Sequence, residues 1–537
     1  MKKYLPKKYF YQIINFIQYS EITMLLKKAI TRIPRLSLQS PWLIIIIFST
    51  LSFIGILNHS MWRDELNPWL IVRDSESFGD LIANIHYEGH PVLWYFCLAV
   101  LRQIAENPVI MQLFHLAIAI SSVTIFCLYS PFNYQQKFLF SFGFFPFYEY
   151  LVISRNYAFS MLFLFAACTV YSSRKKTYVY LAILLGLLAN SSAYALFVSF
   201  SLLLTLLVEF CFDIDHRNQY FSQSHKYDLF LSLGIIIFSL ILSVYIISPP
   251  ADSYLHGGLN DGWVNQFDLR HLLRSLGRLF GGYLLIIPTH KRWLDLIVCG
   301  LIILFIVALT VIKLSKNPLA LFFYIIGNSV ILAFTYLRFL GQPRHFGHFY
   351  LIFLAGLWLG SYYQESTFFI NKFSLKAQTI KFAEKWHYIA FMLILYVQFI
   401  GGIGSFTKDL IIPFSASRET ANYIKKNQLN DQFIVASRDA NMAAISGYLG
   451  RKLYYPEREE MGSFTLFKAG RKDVEQPEIL KQITSLLTNQ PDTRKILLIL
   501  NKKLNESRQD LKIVPIQNFE KAWVDDERYY LYWVNKV

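Results

Sequence analysis

The stretch WLDLIVCGLIILFIVALTVI (293–312) carries one acid and no base in 20 residues. That is the length a helix needs to cross about 30 Å of hydrocarbon. Working outward, LIIIIFSTLSFIGIL (43–57) reads the same way. Hydropathy predicts about eleven spans: 41–58, 108–129, 138–152, 157–172, 177–190, 194–211, 229–248, 292–314, 319–338, 346–363 and 388–404. Composition agrees, with 54% hydrophobic and only 16% charged residues in 537, where a soluble domain carries about 25% charged. A soluble enzyme, a fibre and a disordered chain are excluded. The sequence specifies an integral membrane protein whose membrane part is an all-α polytopic bundle.

The formal charge of +16 is not spread as a nucleic-acid surface would be, so no nucleic-acid partner is expected. It crowds beside the apolar segments, eight Lys/Arg against one Glu in residues 1–35, as membrane orientation requires. A basic cytoplasmic segment 1–40 then precedes a transmembrane domain 41–404. The same rule puts Arg174–Lys176, Lys313, Lys316 and Lys372–Lys385 inside. It puts the first loop (59–107), the second loop (249–291) and a terminal domain (405–537) outside. This parity depends on PVLWYFCLAVLRQI (91–104), which at 14 residues is too short to span. It reads as an external interfacial helix with Trp94 and Tyr95 at headgroup depth. Trp62 and Trp69 read as further interface anchors.

All five cysteines (Cys97, Cys127, Cys168, Cys211, Cys299) lie in apolar stretches, so no disulfide framework is read. Beyond residue 405 the pattern changes. Strands at 434–437, 494–500 and 529–534, with a helix at 477–489, predict a small extracytoplasmic α/β domain.

Chemistry concentrates in the loops. Residues 59–90 hold six acids and two arginines, and Asp64 and Glu65 follow the first span closely. A carboxylate held there is a candidate general base toward a hydroxyl; an ordinary polar loop is the plain alternative. His86, Glu88 and His90 alternate, so an extended chain would turn all three toward one divalent ion, or they cap the helix that follows. Arg155 and the cluster Arg338, Arg344, His345 and His348 bring cations to the same side, as phosphate ligands or as snorkelling side chains. HisGlyGlyLeuAsnAspGlyTrp (256–263) is a candidate substrate lid containing His256, and Arg270, Arg274 and Arg278 form a basic helical face. No Walker loop, HExxH motif, dinucleotide fingerprint or nucleophile elbow occurs.

Taken in order, these motifs resemble a known family. Arg63-Asp64-Glu65, then Glu88-Gly89-His90-Pro91-Val92-Leu93-Trp94-Tyr95, then Ser154-Arg155 and a late Arg344 resemble the GT-C integral-membrane glycosyltransferases. The nearest pattern is that of the protein O-mannosyltransferases and lipid A aminoarabinose transferases. Two departures stand out: Val92 where a second Pro is usual, and Asn190-Ser191-Ser192 where a Lys often lies.

The resemblance implies a GT-C-like bundle and transfer of a sugar, hexosyltransferase-like and with inversion, from a polyprenyl-phosphate-linked donor. The acceptor would be a lipid, glycan or protein outside the cytoplasm. It implies Asp64 and Glu65 as catalytic residues. Arg155, Arg344 and His345 would bind the donor phosphate, and Glu88, His90, Tyr157 and His256 would lie against substrate. A divalent cation, Mg or Mn, is an option, with Asp64, Glu88 and His90 as its ligands. A transporter or flippase of lipid-linked sugars is the alternative, and an inactive scaffold a third.

Overall fold

The computed structural model describes residues 39–254, 263–288, 292–374, 376–489 and 495–537. His256, most of the 1–40 segment and most of the ThrHisLysArg run at 289–292 fall outside the described residues. Among the described residues, seven helices are long and apolar enough to cross a membrane: Pro41–Asn58, Val109–Tyr129, Ala193–Phe212, Asp228–Ile247, Trp293–Leu314, Pro318–Leu337 and Ala377–Ile411. Shorter apolar helices, Leu93–Ile104, Tyr157–Thr169 and Val179–Ala189, complete the bundle. Pro343–Gly360 runs through its middle and is buried along almost its whole length. From Phe349 onward it is apolar all round, which suits that buried position.

Hydropathy located these helices to within a few residues, with two corrections. The expected span at 138–152 is broken into a short helix Tyr134–Ser141, a π-helical turn Phe145–Glu149 and irregular turns beyond it. Pro146 lacks the N–H that a continuous helix needs there. The last span, expected at 388–404, lies within a longer helix that starts at Ala377 and runs on to Ile411. The helix passes close against that broken segment because Gly402 has no side chain: a Cβ there would lie 2.3 Å from the carbonyl oxygen of Phe142.

The first loop is helical rather than irregular, with Arg63–Asp74 and Phe78–Ile85. Leu66, Trp69 and Leu70 sit at helical spacing and are all buried, which is what fixes the first of these helices. Trp69, Trp94 and Tyr95 are therefore not interface anchors; each is at most 1% exposed. The Leu93–Ile104 helix instead exposes Phe96, Val100 and Ile104.

The terminal unit is α/β, as the alternating pattern predicts. Its strands are β1 (Phe433–Ser437), β2 (Leu453–Tyr455), β3 (Glu460–Gly462), β4 (Ile496–Leu500), β5 (Leu511–Phe519) and β6 (Tyr529–Lys536). They form one sheet in the order β3-β2-β1-β4-β6-β5. β1 runs parallel to β2 and β4, and the other pairs are antiparallel. β4, IleLeuLeuIleLeu, is buried at every position, because apolar clusters cover both of its faces.

This unit sits on the bundle. Its Asp439–Leu449 helix presses Gly447 against Leu66, where a Cβ would come within 3.1 Å of that side chain. Tyr448 Oη accepts the Met61 N–H at 2.8 Å, and Ser417 Oγ donates to the Met61 carbonyl at 2.9 Å.

Candidate active site

One end of the bundle gathers the span ends at Asn58, Asn190, Ile247 and Leu337. The turn after the Val179–Ala189 helix is held there: the Leu93 N–H donates to the Asn190 carbonyl, and Asn156 Nδ2 donates to the Ser191 carbonyl at 2.6 Å. Beneath the α/β unit lies a cavity of about 450 Å³.

Asp64 projects into this cavity from the first turn of the Arg63–Asp74 helix. Its Oδ2 lies 2.9 Å from Arg155 Nη1 and 3.0 Å from Arg344 Nη2. Arg63 Nε is 3.8 Å from the other oxygen. Burial pushes the Asp64 carboxyl up, but Arg155, Arg344 and Arg63 outweigh it and hold it below the usual carboxylate range. The three arginines come from remote parts of the chain. Arg155 follows the irregular turns, and Arg344 opens the Pro343–Gly360 helix after a turn at Gly341, whose φ is +77°.

Glu65, the next residue, does not line this cavity. It is fully buried, with Oε1 accepting the Ser154 N–H at 2.6 Å and Oε2 accepting the Trp62 N–H at 3.2 Å. Oε2 also meets His59 Nε2 at 2.9 Å. Neighbours on a helix point about 100° apart, so one acid faces the cavity and the other the core. Glu65, expected beside Asp64 at the site, thus lies behind it and faces the core.

His86, Glu88 and His90 do not share a face. The chain turns rather than extends after the Phe78–Ile85 helix, with Gly89 at φ +65°. His86 packs on Tyr245, with Nδ1 3.4 Å from the Ser248 carbonyl. Glu88 accepts from Asn67 Nδ2 at 3.0 Å and Tyr95 Oη at 3.2 Å. Arg155 Nη2 donates to His90 Nε2 at 3.0 Å. Burial pushes the Glu88 carboxyl up to about 7 against the pull of Arg155.

Among the described residues, no three His, Cys, Asp or Glu side chains gather as a metal-ligand set. Asp64 and His90 already face guanidinium cations, which would repel a divalent ion, so this donor set does not fit Mg or Mn.

His345 and Tyr157 form a pair within the cavity wall. The Gln342 N–H donates to His345 Nδ1 at 2.8 Å. Nε2 therefore carries the proton and donates to Tyr157 Oη, 2.8 Å away. Both ring nitrogens are thus engaged, Nδ1 by the Gln342 N–H and Nε2 by Tyr157. Tyr194 stacks on its other side at 5.0 Å.

Sequence reasoning missed several lining residues. Arg63 and Asn67 lie on the same helix as Asp64; Asn67 follows it by three residues, the helical spacing that would have revealed it. Thr465 and Phe467 come from the α/β unit. They are held by a two-way bond between the Asn67 amide and the Thr465 backbone, 2.8 and 3.2 Å, and the Tyr254 N–H donates to the Phe467 carbonyl at 2.8 Å. No local motif announces those contacts. Arg338, already noted in the basic cluster, lies over the Trp263 ring at 5.2 Å and lines the same cavity.

No family model matches the chain, and no curated protein matches it. A solved structure is similar, the crystal structure of ArnT from Cupriavidus metallidurans bound to undecaprenyl phosphate. The identity is 10% and the TM-score 0.46, covering 91% of this chain and 97% of that one. At that level no residue correspondence is carried across.

Proposed function

We propose that the protein is a membrane glycosyltransferase that moves a sugar from a polyprenyl-phosphate-linked donor to a hydroxyl acceptor, with inversion. The observation that carries this reading is the convergence of Arg155 and Arg344 on one oxygen of Asp64 within a single cavity. A carboxylate beside two guanidinium forks pairs a proton acceptor with a phosphate cradle. The apolar bundle provides a place for the donor's tail next to that cradle.

In the reaction, the acceptor oxygen attacks the anomeric carbon as the bond from that carbon to the phosphate oxygen breaks. The electron pair leaves with the lipid phosphate, whose charge Arg155 and Arg344 stabilise. The acceptor proton passes to Asp64. Unliganded, the two arginines hold Asp64 ionised and weakly basic. A phosphate drawing them off raises its basicity when the donor is in place. Glu88 and Asn67 form a polar wall beside the pair and would contact sugar hydroxyls.

In this reading the cavity end and the α/β unit face outside the cytoplasm and the N-terminus lies inside it, an orientation supported by the Lys/Arg bias of the sequence. The test has two parts. Removing the protein from its cells should cause one lipid-linked sugar to accumulate. The purified protein should then release polyprenyl phosphate from that species in an acceptor-dependent way. An unchanged lipid-linked pool together with no release would reject the reading.

A further inference from the structure

The proposed mechanism leaves out a buried chain of charged groups behind the cavity. Asp409, near the end of the Ala377–Ile411 helix, contacts His59 Nδ1 through Oδ2 at 2.8 Å. His59 Nε2 contacts Glu65 Oε2 at 2.9 Å, and Glu65 Oε1 accepts the Ser154 N–H at 2.6 Å. Ser154 is the residue immediately before Arg155. All three side chains are at most 4% exposed.

Stability does not explain this chain. Two carboxylates and an imidazole taken out of water cost several kcal/mol per ion before any pairing. Asp409 Oδ1 has no hydrogen-bond partner among the described residues. Burial lowers the His59 pKa, but Asp409 and Glu65 overcome that and raise it to about 10. The His59 ring therefore sits between two carboxylates, and its direction is fixed from both sides. Glu65 is in turn fixed from two directions, by His59 and by the N–H groups of Trp62 and Ser154.

We infer that Asp409, His59 and Glu65 form a positioning relay that holds the backbone at Ser154, and hence the Arg155 guanidinium, against Asp64. The relay links the end of the longest helix to the working pair of the proposed reaction. Its importance rests on that reading, whereas its geometry does not. None of the three touches the cavity, so they act through Arg155 rather than on substrate.

The test needs no substrate. Dicyclohexylcarbodiimide labels protonated carboxyls, so the pH midpoint of Asp64 labelling, read by mass spectrometry on the full-length protein in detergent, reports how closely cations surround it. The charged groups facing Asp64 are Arg63, Arg155 and Arg344, with Glu88 and Glu149 as nearby acids. Losing one close cation moves a carboxylate by about one to three pH units.

Glu65→Ala should shift the midpoint up by about one unit or more. Glu65→Gln, which still accepts from Ser154, should restore most of the wild-type value. Asp409→Ala removes the acceptor that fixes His59 Nδ1 while leaving Glu65 in place, so it should fold where Glu65→Ala does not and shift the midpoint in the same direction. A midpoint unmoved by Asp409→Ala, or a Glu65→Gln shift as large as that of Glu65→Ala, would overturn the relay. A wild-type protein with no transferase activity would reject the proposed function and leave this measurement standing.

Discussion

Arg344 spans 280 positions of sequence to bring its Nη2 within 3.0 Å of Asp64 Oδ2. Tyr150 Oη donates to the Arg344 carbonyl at 2.9 Å and so fixes the start of the central helix that carries it. This contact joins the Arg63–Asp74 helix of the first loop to the centre of the bundle. Because it is an ion pair at the cavity surface, its removal should be felt in chemistry before it is felt in folding.

Asp64→Asn keeps the shape and removes the proton acceptor. Sugar transfer should fall by about 10²–10⁴-fold, while the melting temperature falls only modestly, because the carboxylate that Arg155, Arg344 and Arg63 hold below its ordinary range also stabilises the fold. Release of polyprenyl phosphate from the accumulating lipid measures the first quantity and differential scanning fluorimetry the second. Near-wild-type transfer would remove Asp64 as the base.

Arg155→Ala and Arg344→Ala should each weaken binding of polyprenyl phosphate by roughly 10–100-fold, the value of one charge-assisted hydrogen bond of about 1.5–3 kcal/mol. Titration of the detergent-solubilised protein with undecaprenyl phosphate reads this directly. Arg155→Ala should be the more severe, since Arg155 also bonds His90. Unchanged affinity in both variants would refute the phosphate assignment.

Much of this site was legible in the sequence. Asp64, Arg155 and Arg344 stood out because charge at the ends of apolar segments is costly and conspicuous. Hydropathy located the helices but could not tell lipid-facing residues from buried ones. Trp69 and Trp94 thus read as interface anchors when they pack inside the protein. Glu65 could not be told from Asp64 by type, because only the start of the Arg63–Asp74 helix decides which of the two faces the core. Thr465 and Phe467 were invisible, since their place depends on how the α/β unit docks.

Glu88 predicts a pH effect with a definite sign. Its folded pKa, about 7, lies above the ordinary 4.5, so the folded protein binds this proton more tightly than the unfolded chain. The stability it contributes is fully present below pH 4.5 and is lost as the pH rises through 7. Glu88→Gln abolishes this titration. The difference in melting temperature, variant minus wild type, should therefore grow between pH 5 and pH 7.5, and a difference flat across that window would show that Glu88 is not a buried acid. Other buried acids titrate in the same range, but they cancel in the difference.

Gly402→Ala tests the packing that carries Asp409 to the site. Its Cβ would lie 2.3 Å from the Phe142 carbonyl oxygen and 2.7 Å from the Gly143 carbonyl carbon. These are backbone atoms that cannot swing aside. The long helix would have to shift away from the broken segment at 142–153, at a cost of about 1–3 kcal/mol. The melting temperature should fall by several degrees, whereas Gly404→Ala, with nothing within 4 Å, should leave it unchanged. Equal melting temperatures for the two variants would contradict the close approach.

Asn67→Ala asks what holds the α/β unit over the cavity. The Asn67 amide donates to the Thr465 carbonyl and accepts the Thr465 N–H, and it also donates to Glu88. Truncation removes both backbone bonds at once and leaves a buried N–H unpaired, a loss of about 1–3 kcal/mol. That loss falls on the 463–469 segment, which is otherwise tied down by contacts of Ser463 with Asp74 and of Ala469 with Asp252. Where opening is fast relative to cleavage, proteolysis follows the population of the open form. Trypsin should therefore cut after Lys468 or Arg471 roughly 5–100-fold faster in the variant. A domain held mainly by the Gly447–Leu66 contact and the Arg63–Asp526 ion pair would show no such acceleration.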